Sequence, residues 1–490
     1  MKTARRDPIY SLRIEPRLSL PWTLLRLTFV WCRGGLLFTL ITVATLTGRT
    51  AVSQTSPRLT PAPGATGVNV DAPLSLVFDA PPERGSSGLV RIFDETTSDL
   101  VDTIDVAQPT RRLVIGGFSE GFNVYPIIVR DRTVAIYPRR LSHDRTYRVE
   151  IDPGVIVAPG FAGRTGATAW RFRTRARPAA LGARVVVAAD GSGDFNTVQG
   201  AVDAVPDKPA RRLTIEIRNG LYEEIVYFRN KADLSFVGQD RGRVVIGYAN
   251  NERFNGPPPG VPTNEKPDTF PYRRASFMAD RSRGIHLRSL TLHNLTPRGG
   301  GQAEALLLSG GDHIVDRVTL RSFQDTVQLN DSVYVVDSEI EGETDFLWGR
   351  GPAFFTRTTL RQLSRTSPFM WVRSTAASHG FVFVACTFDA PAGDGPGPLL
   401  ARNTAAYADS EVVLIDSRLG PIHPAAWSLV GDTSRQRYWE FNSRTLTGAP
   451  ADTTQRFPGS RQLSAANDAA VIASYRSPAF VLGGWTPDVR

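Results

Sequence analysis

Short apolar segments recur in the second half of the chain at a nearly fixed interval. The phrases VDRVTL, VVDSEI and TRTTL close at Leu320, Ile340 and Leu360, twenty residues apart, and looser copies close at Phe388 and Leu419. Strand-like and turn-like residues fill the intervals, without the apolar spacing of a helix. A repeat of this kind predicts a solenoid of stacked coils, and the best match is a right-handed parallel β-helix.

The composition agrees with a turn-rich, mostly β protein. The 490 residues exceed one ordinary compact core, so two or more units are expected. Glycine (43 residues) and proline (35 residues) are spread along the chain and do not form one tract, which favours strands and turns over helices. The fold class is therefore predicted to be all-β.

The net charge of +9 does not indicate a nucleic-acid protein. The basic residues are nearly all arginines and are scattered, and no zinc-finger spacing, aromatic RNA-binding motif or dense basic arm is present. A basic surface would attract a polyanion such as an acidic polysaccharide by long-range steering. A solvated surface without a specific partner is the alternative and suits the scattered arginines. The chain is expected to act as a monomer.

The first 53 residues predict export. Arginine-bearing segments precede an uncharged run over residues 34–48, and the small-x-small pattern Ala-Val-Ser follows and ends at Ser53. This pattern predicts a signal peptide over residues 1–53, with no stable membrane span after cleavage and a secreted, periplasmic or cell-surface location in a bacterium. The alternative is a retained N-terminal anchor, although two arginines interrupt the apolar stretch over residues 20–46.

A separate unit is predicted before the repeats. Residues 56–175 contain short alternating segments divided by Pro, Gly, Asn and Asp, which is typical of a small β-sandwich. Its opening, PAPGATGVNVDAPLSLVFD, and its closing, WRFRT, resemble the bacterial immunoglobulin-like modules that precede enzymes on exported proteins. Residues 176–183 are predicted to be a linker, and residues 184–490 the β-helix.

The segment Gly117–Gly121, GFSEG, matches the G-x-S-x-G pattern of serine esterases, with Asp131 and His143 following in the right order. A nucleophile elbow requires a helix directly after the serine, whereas FNVYP follows here. A hairpin loop is therefore predicted. The β-helix region itself opens with a strand, a Gly/Asp turn and a short amphipathic helix over residues 197–204.

Two similar phrases carry the chemistry, QDT at 324–326 and TDF at 344–346. Their aspartates, Asp325 and Asp345, are one coil apart, so their carboxylates should project from one face about 5 Å apart at the backbone. Gln302 and Gln324 recur at similar intervals, which predicts two amides and two acids in one column. A purely structural ladder of hydrogen bonds is the alternative.

Two carboxylates at this distance cannot both ionise cheaply, so one retains a proton beside a base or nucleophile. Such a pair serves either glycoside cleavage or acyl transfer. Amide N–H groups that receive the oxyanion of a tetrahedral intermediate favour acyl transfer.

Residues 184–430 resemble the pectin methylesterase (pectinesterase) family of carbohydrate esterases. The resemblance lies in the motifs DGSGDFNTVQGAVDAVP, GLYEE, QAEAL, SFQDT, EGETDFLWG and GFVFVACTF, which follow the family's order and spacing. It implies an exported esterase that hydrolyses the methyl esters of pectin-like polyuronides and releases methanol.

The resemblance also assigns roles to individual residues. It implies that Asp345 is the nucleophile that forms an acyl-enzyme, and that Asp325 is the general acid and then the base. Gln324 and Gln302 would stabilise the oxyanion, and Arg402, in LLARNT, would orient Asp345. No metal or other cofactor is implied.

The expected sugar-binding surface departs from the family pattern. Asn403 follows Arg402 where the family has Pro-Trp, and Gln328 and Trp348 replace the usual residues after the two acidic motifs. Trp348, Gln328 and Trp371 are predicted to contact substrate, although Trp348 would equally suit packing between coils. The alternative functions are a non-catalytic polysaccharide-binding β-helix, an esterase on a different esterified polysaccharide, and a glycosidase or lyase.

Overall fold

The computed structural model describes residues 56–257 and 273–489. The predicted signal peptide at residues 1–53 lies outside these described residues. Within them, no helix is both long and apolar enough to cross a bilayer.

The N-terminal unit consists of short, mostly antiparallel strands. Two four-stranded sheets, with strand orders β1-β2-β9-β8 and β12-β10-β4-β5, enclose one core that includes Leu76, Ile92 and Trp170. In strands such as β2 and β10, alternate side chains enter that core, as the sequence alternation predicts. The strands are β1 (Arg58–Thr60), β2 (Leu74–Val77), β3 (Glu83–Arg84), β4 (Leu89–Asp94), β5 (Asp99–Asp105), β6 (Arg111–Leu113), β7 (Phe122–Val124), β8 (Ile127–Arg130), β9 (Thr133–Ile136), β10 (Thr146–Ile151), β11 (Ile156–Val157) and β12 (Trp170–Arg173), with a 3₁₀ turn at Gly166–Thr168.

The sandwich form is thus observed, whereas its relationship to immunoglobulin-like modules stays a prediction. The GFSEG segment lies in the hairpin between β6 and β7, which pair antiparallel. No helix follows Ser119. A nucleophile elbow is therefore absent.

The remaining strands form a parallel β-helix. They are β13 (Arg184–Val187), β14 (Leu213–Ile217), β15 (Gly220–Glu223), β16 (Val226–Arg229), β17 (Leu234–Gly238), β18 (Val244–Tyr248), β19 (Phe277–Asp280), β20 (His286–Arg288), β21 (Thr291–Asn294), β22 (Leu306–Leu308), β23 (His313–Asp316), β24 (Thr319–Arg321), β25 (Val327–Leu329), β26 (Val333–Val336), β27 (Glu339–Gly342), β28 (Leu347–Gly349), β29 (Ala353–Thr356), β30 (Thr359–Gln362), β31 (Met370–Val372), β32 (Phe381–Val384), β33 (Thr387–Asp389), β34 (Ala401–Arg402), β35 (Glu411–Ile415), β36 (Arg418–Leu419), β37 (Trp427–Ser428), β38 (Arg437–Phe441), β39 (Arg444–Thr445) and β40 (Arg461–Gln462).

From β14 to β39, every third strand joins the same parallel sheet. The three sheets have the orders β13-β14-β17-β20-β23-β26-β29-β32-β35-β38-β40, β15-β18-β21-β24-β27-β30-β33-β36-β39 and β16-β19-β22-β25-β28-β31-β34-β37. We call the last of these the site sheet. In the second sheet, Leu320, Ile340, Leu360, Phe388 and Leu419 pair in succession, so the predicted apolar column is confirmed.

A left-handed residue recurs at the corner between the first and second sheets. Arg317, Asp337, Arg357, Ala385 and Asp416 have φ angles between 47° and 54° in successive coils. Each of these residues turns the chain sharply between two strands, and the repeated turn keeps the coils in register. A positive φ carries a steric cost for a residue with a side chain.

Three short helices flank the β-helix, α1 (Val198–Ala204), α2 (Ala469–Tyr475) and α3 (Pro478–Val481). The predicted helix at residues 197–204 is confirmed as α1, with the Thr197 side chain accepting from the Gly200 N–H at 3.0 Å. Glu224 of the GLYEE motif accepts from the N–H groups of Val198 and Gln199, both at 2.8 Å. Its role is therefore structural.

The N-terminal unit packs directly on the first coils of the site sheet. Phe118 and Phe122, in and beside the GFSEG loop, contact Tyr227, with ring centroids 4.6 Å apart for Phe122 and Tyr227. Arg130 forms an ion pair with Glu223. The N-terminal unit therefore packs on the first coils of the β-helix, on the site sheet at Tyr227 and on the second sheet at Glu223.

Candidate active site

The β-helix places Asp325 and Asp345 at matching positions of consecutive coils. Each lies two residues before a strand of the site sheet, β25 or β28, and Val327 pairs with Leu347. Both aspartates are left-handed, with φ of 62° and 47°, and both are only 5% exposed. Strained backbone and buried acids are features that cluster at functional sites.

Arg402 forms an ion pair with Asp345, although it lies two coils further along the sheet. Its Nε lies 2.9 Å from Oδ1 and 3.0 Å from Oδ2 of Asp345, and its Nη2 also donates to Oδ2. A guanidinium contact of this kind favours the ionised carboxylate and fixes its orientation. The predicted pairing of these two residues is thus present in the structure.

Asp325 has the opposite environment. Burial raises its pKa well above the ordinary value, and the nearby carboxylates of Glu304 and Asp345 raise it further. Arg274 and Arg373 oppose the shift, and Arg274 Nη2 lies 2.9 Å from Oδ2 of Asp325. The two aspartates therefore differ in surroundings: Asp345 is paired with Arg402, and burial raises the pKa of Asp325.

Arg274 organises the side of the site that faces the N-terminal unit. Its Nε lies 2.8 and 2.9 Å from the two oxygens of Glu304, and its Nη1 donates to Oε1 of Gln302. Arg274 is 4% exposed and Glu304 is fully buried. Because the guanidinium has only donors, it fixes the amide oxygen of Gln302 toward itself and leaves the NH₂ group directed elsewhere.

The predicted single column of two amides and two acids is wrong in its register. Leu306 pairs with Val327, so the position that corresponds to Asp325 in the preceding coil is Glu304. Gln324 stands opposite Ala303, whose N–H donates to its carbonyl at 3.2 Å, and Gln302 falls one position earlier still. The coil between β22 and β25 is one residue longer than the next, which the approximate intervals did not resolve.

A ladder of polar and aromatic side chains follows on the outer face of the site sheet. Gln328, Trp348 and Trp371 pair in succession along β25, β28 and β31. Gln328 is fully buried and Trp348 is 3% exposed, whereas Trp371 is half-buried. Trp371 is therefore the most accessible of the three residues that were predicted to contact substrate, and the contacts themselves stay predictions.

Trp371 lies between two guanidinium groups. The Cζ atoms of Arg373 and Arg402 are 3.7 and 3.9 Å from its ring centroid, and Tyr407 makes an edge contact at 5.8 Å between centroids. Two nearby polar atoms, Oε1 of Gln328 and Nε1 of Trp371, have no hydrogen-bond partner among the described residues. Two cations around a half-buried aromatic face suit an anionic, sugar-like ligand.

Four residues of this site were not predicted from the sequence: Arg274, Glu304, Arg373 and Tyr407. Of these, Glu304 carried a usable signal, because it is a charged residue inside the otherwise apolar run QAEALLL. A charge in a buried strand requires a partner. Its partner Arg274 lies 30 residues earlier, across a coil whose length the repeat does not predict.

Comparison with known proteins agrees with this geometry. A family model described as Pectinesterase matches residues 184–379. The pectinesterase QRT1 of Arabidopsis thaliana is 28% identical over 57% of this chain and 73% of its own length. A pectinesterase of Ralstonia solanacearum is 30% identical over 42% of this chain, and the matched part spans 59% of that relative.

The solved structure of pectin methylesterase from carrot has the same fold. It matches 63% of this chain and 95% of its own chain with a TM-score of 0.52 at 22% identity. The domain at residues 184–379 therefore matches the pectinesterases, which are carboxylic ester hydrolases.

Proposed function

We propose that the protein hydrolyses the methyl esters of a pectin-like polyuronide through an acyl-enzyme formed on Asp345. The observation that carries this proposal is the unequal pair of buried aspartates. Arg402 contacts both oxygens of Asp345, and burial raises the pKa of Asp325, one coil away, well above its ordinary value. An anionic nucleophile beside a proton donor is what ester cleavage with an alcohol leaving group requires.

In the first step, a carboxylate oxygen of Asp345 attacks the ester carbonyl carbon. The carbonyl oxygen becomes an oxyanion, which the side-chain NH₂ groups of Gln302 and Gln324 stabilise. The bond to the methoxy oxygen then breaks, and that oxygen takes the proton of Asp325 and leaves as methanol. A mixed anhydride between substrate and Asp345 remains.

In the second step, the ionised Asp325 accepts a proton from water, and the resulting hydroxide attacks the substrate carbonyl of the anhydride. Asp345 departs as a carboxylate, again paired with Arg402. The free uronic acid loses its proton to solvent, and Asp325 retains the proton that it took from water. The cycle is balanced as ester plus water giving acid plus methanol.

The substrate surface is proposed to lie along the outer ladder. Trp371 would face a sugar ring, and Arg373 would attract a uronate carboxylate. Trp348 and Gln328 are proposed to extend this surface along the neighbouring strands β28 and β25.

The test is methanol release from methyl-esterified pectin by the full chain. Asp345→Asn should lower kcat by at least about 10³-fold, because an amide cannot form the acyl-enzyme. Asp337→Asn is the matched control, since Asp337 is also left-handed and arginine-paired but lies at an exposed corner. Wild-type activity in the Asp345→Asn variant would refute the proposal.

Another esterified polysaccharide is the second candidate substrate. Asn403, which follows Arg402, is 4% exposed and donates to the Tyr407 carbonyl at 2.8 Å, so no aromatic ring occupies that position. Acetate release from an acetylated polymer, with no methanol from pectin, would favour this candidate. Tight polymer binding without release of either product would favour a non-catalytic binding protein.

We also propose that the protein acts outside the cytoplasm, on the basis of the pattern at residues 1–53. N-terminal sequencing of the protein recovered from the producing cells tests this. A start near residue 54 supports a cleaved signal, whereas a membrane fraction that retains residues 1–53 supports the anchor.

A further inference from the structure

One buried cation serves two buried carboxyl groups at this site. Arg274 contacts both oxygens of Glu304 through Nε, and a single oxygen of Asp325, Oδ2, through Nη2. All three side chains are at most 7% exposed. Because one positive charge can balance only one negative charge in such surroundings, one of the two carboxyl groups retains a proton.

The contacts indicate which group retains it. A protonated carboxyl group needs one oxygen free to carry and donate its hydrogen. Both Glu304 oxygens accept from Arg274, whereas among the described residues Asp325 accepts through Oδ2 only, so that Oδ1 can carry a proton. Burial raises the pKa of Glu304 and Arg274 lowers it, whereas the pKa of Asp325 is raised well above its ordinary value. The contacts therefore favour an ionised Glu304 against Arg274 and a proton on Oδ1 of Asp325.

We propose that Glu304 is a positioning residue for the reaction: its ionised side chain balances Arg274, and this balance keeps the proton on Asp325. The proposal rests on the proposed function, since it assigns Asp325 as the proton donor. Without Glu304, Asp325 would become the counter-charge of Arg274 and would ionise. A donor that has lost its proton cannot release methanol.

The ion pair between Arg274 and Glu304 also affects the orientation of Gln302. Nη1 of Arg274 holds Oε1 of Gln302, so the same buried ion pair that sets the proton on Asp325 also directs the Gln302 NH₂ group away from Arg274. Proton donor and oxyanion donor are thereby fixed by one guanidinium. The charged or titratable groups that face Asp325 are Arg274, Glu304, Asp345 and Arg373, and those that face Glu304 or Arg274 from other elements are Tyr227 and Glu252.

The experiment is the pH dependence of kcat/KM for methanol release from methyl-esterified pectin. Its alkaline limb reports the loss of the proton from the donor in the free enzyme. Glu304→Gln should move this limb to lower pH by about one unit or more, because Arg274 is then unopposed. KM should change little, since Glu304 is fully buried and does not face substrate.

Two further variants keep the test decisive. Arg274→Gln removes the cation and should move the alkaline limb to higher pH, with a lower kcat because Gln302 loses its contact. Glu252→Gln is the matched control: Glu252 lies 3.8 Å from the same guanidinium but is 39% exposed, so solvent screens it and the limb should stay in place.

The outcomes separate this inference from the proposed function. If the wild-type protein releases no methanol from pectin, the proposed function fails. If the wild-type protein is active and a folded Glu304→Gln variant has the wild-type pH profile, or shifts upward, the inference alone is overturned. Should Glu304→Gln not fold, an unchanged or downward-shifted limb in Arg274→Gln overturns it equally.

Discussion

Arg402 Nε lies 2.9 Å from Oδ1 and 3.0 Å from Oδ2 of Asp345, although 57 residues separate them in sequence. The parallel register produces this contact, because Arg402 ends the strand two coils after the one that Asp345 precedes. Trp371 packs 3.9 Å from the guanidinium carbon. The cation is therefore fixed both by the carboxylate and by the ring, and the orientation of Asp345 is fixed with it.

Replacing Arg402 with lysine should abolish most turnover without unfolding the protein. A lysine keeps the charge but cannot reproduce the planar contact with the carboxylate, so the nucleophile loses its fixed orientation. We expect kcat to fall on the order of 10²-fold. Arg357→Lys is the control, because Arg357 forms a similar two-nitrogen contact with Asp337 on an exposed corner. Equal losses in the two variants would argue against a special role for Arg402.

Asp325→Asn should be inactive yet more stable than the wild type at neutral pH. The pKa of Asp325 is raised in the folded state, so the folded protein holds a proton that the unfolded chain releases above the ordinary value of 3.8. Unfolding therefore becomes more favourable as pH rises from that value toward the folded-state pKa. Asparagine removes this penalty.

The measurement is the melting temperature of both proteins across pH. The gain of Asp325→Asn should be present at neutral pH and should shrink as pH falls toward 3.8, where both states are protonated. A gain that is independent of pH would instead reflect packing.

The apolar column of the second sheet predicts a large stability effect at Ile340. This side chain is fully buried between Leu320 and Leu360, so Ile340→Ala leaves a cavity that the rigid ladder cannot close. The loss should be about 2–4 kcal/mol in equilibrium urea unfolding. Leu221→Ala, at a side chain that is 45% exposed, should change stability by less than about 1 kcal/mol.

Trp371→Ala should raise KM for pectin more than it lowers kcat. Loss of an aromatic face against a sugar corresponds to roughly a tenfold weaker affinity. Trp371→Phe should recover most of the affinity, because a ring remains between Arg373 and Arg402. Phe480→Ala, an exposed aromatic residue on α3, is the control. An unchanged KM in Trp371→Ala would remove this residue from the substrate surface.

The parts of the fold that repeat were predictable from the sequence. Leu320, Ile340 and Leu360 stack as their spacing indicates, because a parallel β-helix converts a fixed interval directly into a spatial column. The same conversion brings Asp325 next to Asp345. Helix α1 was predictable from its apolar face.

The parts that depend on coils of unequal length were not predictable. Gln302 and Gln324 seemed to share a column, yet a one-residue difference between coils puts Glu304 in line with Asp325. Arg274 lies just before β19, in the coil that precedes Glu304. That coil is longer than the later ones, so the repeat interval did not predict that Arg274 would contact the site. Phe122 of the N-terminal unit packs on Tyr227 of the β-helix. The sequence pattern of one unit cannot predict which surface of the other unit it contacts.

The central claim is that the ester's acyl group is transferred to Asp345. Its most direct measurement is mass spectrometry of the enzyme quenched in acid during turnover of a short methyl-esterified oligouronide. The mechanism predicts one substrate acyl group on the peptide that contains Asp345, and no adduct in the Asp345→Asn variant. Methanol release at the wild-type rate by that variant, or an adduct on a different residue, would contradict it.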